Sequence, residues 1–363
     1  MTTQPRLKMA LIGLGRLGAI RARILAFQQP RIELVAVCDT KPGTDKWAAE
    51  NLPPSVKYYA DPEDCMKNGG AEAVLISTAT ATHAPLIHLG LDLGLHVMCE
   101  KPISVDLITT EEVLAKAKSK PHLKFLVPFS RRYDDSYRAA KEMIDSGSFG
   151  EVHAVETSLI DKQDPTGFFV TFSEQSGGIF LDMGVHDIDI GRYYLNVTSG
   201  LTNPKKQVNR VVAMGQQAIY GDLAKYGDCD NGWAMVEFAN GKILTSHLGR
   251  TNTNGFESYT RLCGTKAHSV ISGNSAVNRV EVRDSHGVRT ATTPDAFVFF
   301  DKSFLNDLTE FASAVLDEKS LCCTPDDAYE AAKIGTALQY SYRNRVPVYF
   351  DDNGLPIMET PKS

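Results

Sequence analysis

The sequence predicts an α/β fold in two parts: an N-terminal doubly wound parallel sheet, then a C-terminal α/β domain with an open, mainly antiparallel sheet. Three observations carry this. From Leu7 to about Asp145, short β-rich runs alternate with helical periodicity, the signature of βαβ units. After Ser146-Gly147-Ser148-Phe149-Gly150, strand-like runs follow one another with little helix between them. Further on, Trp233 to Phe238 and Lys242 to Leu248 flank Ala239-Asn240-Gly241, where Asn-Gly is the strongest short-range hairpin signal.

The N-terminal strands are expected at Lys8 to Ile12, Ile32 to Val37, Ala73 to Ser77, His96 to Cys99 and Lys124 to Val127. They are apolar almost throughout, as strands covered by helices on both faces are. Helices are expected between them, including Leu17 to Phe27, with Leu17, Ile20, Ile24 and Phe27 on one face, and Thr110 to Lys118. Helical periodicity returns at Phe304 to Leu316 and at Asp326 to Asn344, and these helices can pack on either domain. The expected divisions are 1–128 for the first domain, 129–350 for the second and a loose polar tail over 351–363.

Bulk properties exclude several classes of function. A chain of 363 residues with 43% hydrophobic residues can bury the cores of two domains. A formal net charge of -6, with no long Lys/Arg block, gives no footprint for a phosphate backbone, so no nucleic-acid partner is expected. The 7 cysteines are odd in number and scattered, with no Cys-x-x-Cys pair, which argues against a disulfide framework and a zinc site. No apolar run is long enough for a bilayer, and neither a signal region nor an Arg-rich presequence opens the chain. The expected location is the cytoplasm.

Chemistry enters right after the first strand, at Gly13-Leu14-Gly15-Arg16-Leu17-Gly18. This Gly-x-Gly-x-x-Gly stands between a strand and a helix, the context that gives it meaning as a dinucleotide-binding Rossmann loop. Gly13 permits the tight turn, Gly15 lets the backbone approach a pyrophosphate, and Gly18 lets the helix pack on the sheet. The helix N-terminus offers free N–H groups to the phosphates. Asp39, followed by Thr40, ends the second strand where a carboxylate accepts hydrogen bonds from an adenosine ribose. That charge repels a 2′-phosphate and favours NAD, while Lys41 nearby offsets part of it and leaves NADP open.

Polar groups gather at the ends of two further strands, where open α/β sheets place ligands. Ser77, Thr78, Ala79, Thr82 and His83 follow one; Glu100-Lys101-Pro102 follows the other. A lysine before a proline is restricted in backbone, so its ammonium can be held against a substrate hydroxyl; the alternative is a solvated lysine in a turn. In Gly177-Gly178-Ile179-Phe180-Leu181-Asp182-Met183-Gly184-Val185-His186, Asp182 and His186 are four residues apart and share a face if the stretch is helical. An imidazole oriented by a carboxylate can take and return a proton near neutral pH. A surface Asp/His pair is the competing reading, and no further ligand falls at metal spacing.

Together these segments resemble the Gfo/Idh/MocA oxidoreductases over about residues 7 to 348. Glu100-Lys101-Pro102 is similar to that family's Glu-Lys-Pro motif, and Asp182 with His186 to its Asp-x-x-x-His pair after Gly-Gly. The resemblance implies a Rossmann domain followed by a sheet domain that often forms the oligomer interface, hence a homodimer or homotetramer. It also implies a catalytic group of Lys101, Asp182 and His186, with His186 as general acid/base, and puts Glu100 and Lys101 against the cofactor as well. Substrate contacts are implied at Ser130, Arg131, Asp164 and Thr166, beside the catalytic three. The likeness is strongest to inositol dehydrogenases and related sugar or polyol dehydrogenases, with three departures: Gln163 stands where a basic residue is common, Asn254-Gly255-Phe256 lacks an aromatic hydroxyl that some inositol enzymes place there, and Ala79 replaces a frequent proline of the cofactor loop. Two other readings stay open: a dinucleotide-binding regulator without turnover, and a reductase of an imine or tetrapyrrole double bond, for which Phe168, Phe169 and Phe172 would supply an apolar pocket.

Overall fold

The structure, a computed structural model, describes residues 5–271 and 276–358. In chain order the first elements are β1 (Leu7–Ile12), α1 (Arg16–Phe27), β2 (Ile32–Cys38), α2 (Thr44–Asn51), β3 (Lys57–Tyr59) and α3 (Pro62–Asn68). They are followed by β4 (Ala73–Ile76), α4 (His83–Asp92), β5 (His96–Cys99), α5 (Leu107–Lys118), β6 (Phe125–Leu126) and α6 (Asp135–Asp145). Next come β7 (Val152–Lys162), α7 (Phe168–Ser176), α8 (Ile179–Asp182), α9 (Gly184–Leu195), β8 (Val208–Gln216), β9 (Asn231–Phe238) and β10 (Ile243–Asn252). The remainder is β11 (Glu257–Gly264), β12 (His268–Ile271), β13 (Ala276–Asp284), β14 (Gly287–Thr292), α10 (Ala296–Phe299), α11 (Ser303–Leu316), α12 (Pro325–Asn344) and β15 (Val348–Tyr349).

Two units divide the chain: Met1–Asp134 with Asp301–Tyr329, and Asp135–Phe300 with Glu330–Ser363. In the first, six strands pair in parallel in the order β3-β2-β1-β4-β5-β6. The chain reverses its direction of travel across the sheet between β1 and β4, which opens a crevice at their C-terminal ends. The central strands β1, β4 and β5 are buried along nearly their whole length, which accounts for their unbroken apolar sequence. β3 has no counterpart in the sequence reading, because three residues at a sheet edge leave no pattern to detect.

Helix α1 corrects one expectation. Its buried residues are Gly18, Arg21, Ala22, Ile24 and Leu25, whereas Phe27 stands exposed and Leu17 and Ile20 are half-buried. The buried face carries a glycine and a charged arginine, so the apolar stripe seen in the sequence is rotated away from the true one. Arg21 can be buried because two carboxylates meet it. Its Nε lies 2.9 Å from Glu100 Oε1 and its Nη1 2.7 Å from Asp307 Oδ1, on α11 of the same unit.

The second unit is a seven-stranded sheet in the order β12-β11-β7-β10-β9-β8-β15, antiparallel except where β7 runs parallel to β10. The Asn-Gly hairpin joins β9 to β10 as expected. Helix α9 lies on one face, close enough that a Cβ on Gly191 would meet Leu244 at 2.8 Å. On that side β9 buries Ala234, Val236 and Phe238, while Trp233 and Met235 stay about half exposed on the other. The segment after Asp351 is not a loose end as far as residue 358. Ile357 donates to Tyr349 O at 2.8 Å, Asp351 to Leu355 O at 2.9 Å, and Asn203 Nδ2 reaches Asp352 O at 2.6 Å. Residues 359–363 of the expected tail lie outside the described residues. Among the described residues no helix is long and apolar enough to cross a membrane.

Candidate active site

In the first unit the glycine loop closes by contact of the chain with itself. Gly13 adopts φ +98°, and a Cβ there would lie 2.4 Å from Ser77 O; one on Gly18 would lie 2.0 Å from Gly13 O. The first and third glycines are therefore required by the fold. A Cβ on Gly15 would meet nothing within 4 Å. The middle glycine thus borders open space at the start of α1, whose first turn has no side-chain cap. Arg16 and Leu17 begin that helix, so its N-terminal end borders the space a pyrophosphate would fill. The residues fit a dinucleotide.

Asp39 is tied to this loop. Its Oδ2 accepts the Leu14 N–H at 2.6 Å and its Oδ1 accepts the Lys41 N–H at 2.7 Å. The carboxylate is thus fixed in direction at the end of β2, with Thr40 exposed beside it. The turn after β4 is similarly organised: Thr82 Oγ1 bonds Thr78 Oγ1 at 2.7 Å and Ala79 O at 2.9 Å, and Ser77 N–H donates to Ile12 O. His83 is buried between two carbonyls, with Nδ1 2.7 Å from Pro102 O and Nε2 3.1 Å from Thr78 O. Its ring therefore joins the turn after β4 to the turn after β5.

Lys101 sits half-buried in that second turn, between Glu100 and Pro102. Glu100 turns back beneath it to Arg21, at 2.9 Å. Burial pushes the Asp307 carboxyl up to about 6 even though Arg21 opposes the shift. Ser130 and Arg131 occupy a 3₁₀ turn over Ser130–Tyr133, Ser130 half-buried and Arg131 buried.

In the second unit Asp182 closes α8 and His186 lies in the first turn of α9. The stretch is not one helix: Met183 separates the two, and His186 N–H donates to Met183 O at 3.1 Å. The burial pattern is more telling than the spacing. From Ile179 to Arg192 every residue is buried except Asp182 and His186.

Sequence reasoning missed Arg250. On β10 the residues Leu244, Ser246, Leu248 and Arg250 share the buried phase of the alternation, and a charged residue in that phase was the available signal. Arg250 Nη2 lies 2.8 Å from Asp182 Oδ2, with the arginine side chain 3% exposed. The Phe169 ring covers its guanidinium at 4.6 Å. Phe169 also meets Tyr220 edge-on at 6.4 Å, and the Tyr220 hydroxyl donates to Asp164 O at 2.7 Å. In that loop Thr166 gives both its N–H (2.9 Å) and its hydroxyl (2.7 Å) to Asp164 Oδ1. Asp230 anchors the far side by accepting the N–H groups of Ala218, Ile219 and Tyr220. Burial raises its carboxyl, but these donors outweigh that and hold it below the usual carboxylate range.

Residues 7–127 match the family described as "Oxidoreductase family, NAD-binding Rossmann fold", and residues 137–270 match the "GFO/IDH/MocA C-terminal domain". The scyllo-inositol 2-dehydrogenase (NAD(+)) of Bacillus subtilis strain 168 is 29% identical over 346 residues, spanning 95% of this chain and 97% of the relative. The myo-inositol 2-dehydrogenase of Thermotoga maritima is 26% identical over 349 residues, or 95% of this chain and 99% of the relative. The solved structure of scyllo-inositol dehydrogenase from Lactobacillus casei, with bound cofactor NAD(H) and scyllo-inositol, has a TM-score of 0.87 at 29% identity. It covers 95% of this chain and 99% of that one. With both halves matched and the glycine loop built to admit a dinucleotide, the chain belongs to the GFO/IDH/MocA family of NAD-binding oxidoreductases.

Proposed function

We propose that the protein is an NAD-dependent dehydrogenase that interconverts a secondary hydroxyl and a ketone on a cyclic polyol or sugar of the inositol class. The observation that carries this reading is the selective exposure of Asp182 and His186 in an otherwise buried stretch. The inositol dehydrogenases among the relatives support the substrate class.

Bound NAD supplies the acceptor for hydride. The chain's own residues handle the proton and the charge. His186 takes the hydroxyl proton as the carbon–hydrogen bond breaks and the carbonyl forms. The Lys101 ammonium donates to the same oxygen and stabilises its developing negative charge. Asp182 fixes the orientation of the imidazole. Ser130, Arg131, Asp164 and Thr166 bond the remaining hydroxyls, and the Thr166 contacts hold Asp164 in place as an acceptor.

The apolar-pocket alternative relied on Phe168, Phe169 and Phe172. Phe169 is engaged by Arg250 on one side and Tyr220 on another, which takes it out of such a pocket. A panel of inositols, aldoses and their keto forms, followed at the nicotinamide absorbance with NAD and NADP, tests the proposal. Turnover of a cyclic polyol supports it. NADH binding with no turnover on any member favours the regulator.

A further inference from the structure

We infer that Arg250 is a positioning residue for the reaction, acting through Asp182; this rests on the proposed roles of Asp182 and His186. The backbone of Arg250 is tied to its sheet. It follows directly on Gly249, which pairs with Ile160 of β7 and Asn231 of β9, and the Arg250 N–H donates to Asp230 O at 2.9 Å. Asp182, by contrast, ends a helix of four residues and is followed by a break at Met183. The 2.8 Å charge-assisted contact from Arg250 Nη2 to Asp182 Oδ2 ties that carboxylate to the end of β10.

The surroundings of Arg250 are poorly suited to a purely structural role. Its Nε–H is buried with no hydrogen-bond partner among the described residues, and one face of the guanidinium rests on Phe169. A buried charge with an unsatisfied donor is costly, and a well-packed apolar side chain of similar volume generally serves stability as well or better. An arginine in that position is explained by what it holds. Phe169, the first aromatic to cover it, starts from a loop whose Asp164 and Thr166 are already bonded to each other. One guanidinium therefore joins the carboxylate to the α7 segment.

The test uses the full-length protein with NAD and the fastest polyol of the panel, beginning with myo-inositol and scyllo-inositol. Arg250→Met is expected to lower kcat about ten- to a hundredfold, the size of effect a small misplacement of reacting groups produces. KM for the polyol and NADH affinity, read by fluorescence titration, should stay within about threefold, because Arg250 positions a catalytic group and is given no substrate or cofactor contact. Arg250→Lys, which keeps the charge without the planar fork, should fall between the two. In Arg250→Ala, guanidinium chloride at millimolar concentration should restore part of kcat, and sodium chloride at equal ionic strength should not. If Arg250→Met folds poorly, the lysine variant and the guanidinium rescue decide. Wild-type kcat in Arg250→Met, or a loss carried by KM alone, would overturn the assignment. So would a loss of kcat without rescue at an unchanged melting temperature. His186→Ala separates the two levels of the argument. If it keeps full turnover, the catalytic reading fails; if it is crippled while Arg250→Met is not, only the role of Arg250 fails.

Discussion

Arg21 and Asp307 meet at 2.7 Å with both side chains about 1% exposed, and the same guanidinium holds Glu100 beside the lysine proposed to act on substrate. This contact makes stability depend on pH in a specific direction. Burial raises the Asp307 carboxyl from its ordinary 3.8 to about 6, so between those values the folded state binds more protons than the unfolded one. Its contribution is fully present below about pH 4 and is lost as pH rises through 6. Melting temperatures from pH 4 to 7 should show the wild type losing ground to Asp307→Asn across this window and running parallel to it above. A constant difference would mean that Asp307 does not titrate there.

The Asp39 carboxylate, fixed by the Leu14 and Lys41 N–H groups, should select NAD over NADP by repelling the extra phosphate. Asp39→Ser is expected to narrow or reverse the ratio of kcat/KM values for the two cofactors. Faster turnover of the wild type with NADP at subsaturating concentration would refute this.

Two glycines in one loop should fail in different ways. Gly15→Val adds a side chain where nothing lies within 4 Å, so the fold should survive while NADH binding collapses. Gly18→Ala forces a methyl group to 2.0 Å from a backbone oxygen, so its melting temperature should fall first. NADH titration and thermal unfolding of both variants make the comparison, and equal damage by both measures would contradict it.

His186→Ala should reduce turnover about 10²- to 10⁴-fold with cofactor binding nearly unchanged. Lys101→Met should also reduce it, by removing positive charge from the developing alkoxide. Because the groups act as a unit, the double variant should lose less than the product of the two single losses. Multiplicative losses would show that they act independently.

The open face of the second sheet carries Met214, Trp233 and His247 in register across three strands, with Trp233 stacked on His247 at 4.4 Å. An apolar row of this kind calls for cover, and a homodimer or homotetramer built on it is expected. Trp233→Glu together with Met235→Lys should give monomers in sedimentation. A wild type that is monomeric and active at micromolar concentration would rule the assembly out.

The legible parts were those encoded over a few neighbouring residues. The glycine loop, the Asn-Gly hairpin and the buried central strands each state their conformation locally. What escaped depends on distant partners. Arg21 is buried in α1 because Glu100, 79 positions away, and Asp307, 286 positions away, meet it, and nothing local to the helix announces either partner. Arg250 was readable in principle, as a charge in the buried phase of β10, but its partner Asp182 lies 68 positions earlier. The turn over 351–358 is held by Asn203 and Tyr349, and nothing in its own composition announces that.

The inclusion of α11 in the first unit bears on how the chain is made. Residues up to Asp134 leave the ribosome long before Asp301–Tyr329, and strands β7 to β12 of the second unit's sheet are translated in between. Domains generally fold as units, N-terminal first, during synthesis. Here that order is blocked: until Asp307 emerges, the nascent first unit carries Arg21 with one of its two carboxylate partners missing and a face of its core uncovered. The nucleotide-binding unit is therefore completed only after most of the second unit's sheet has been made, and a fragment ending near residue 134 would be a substrate for chaperones rather than a domain.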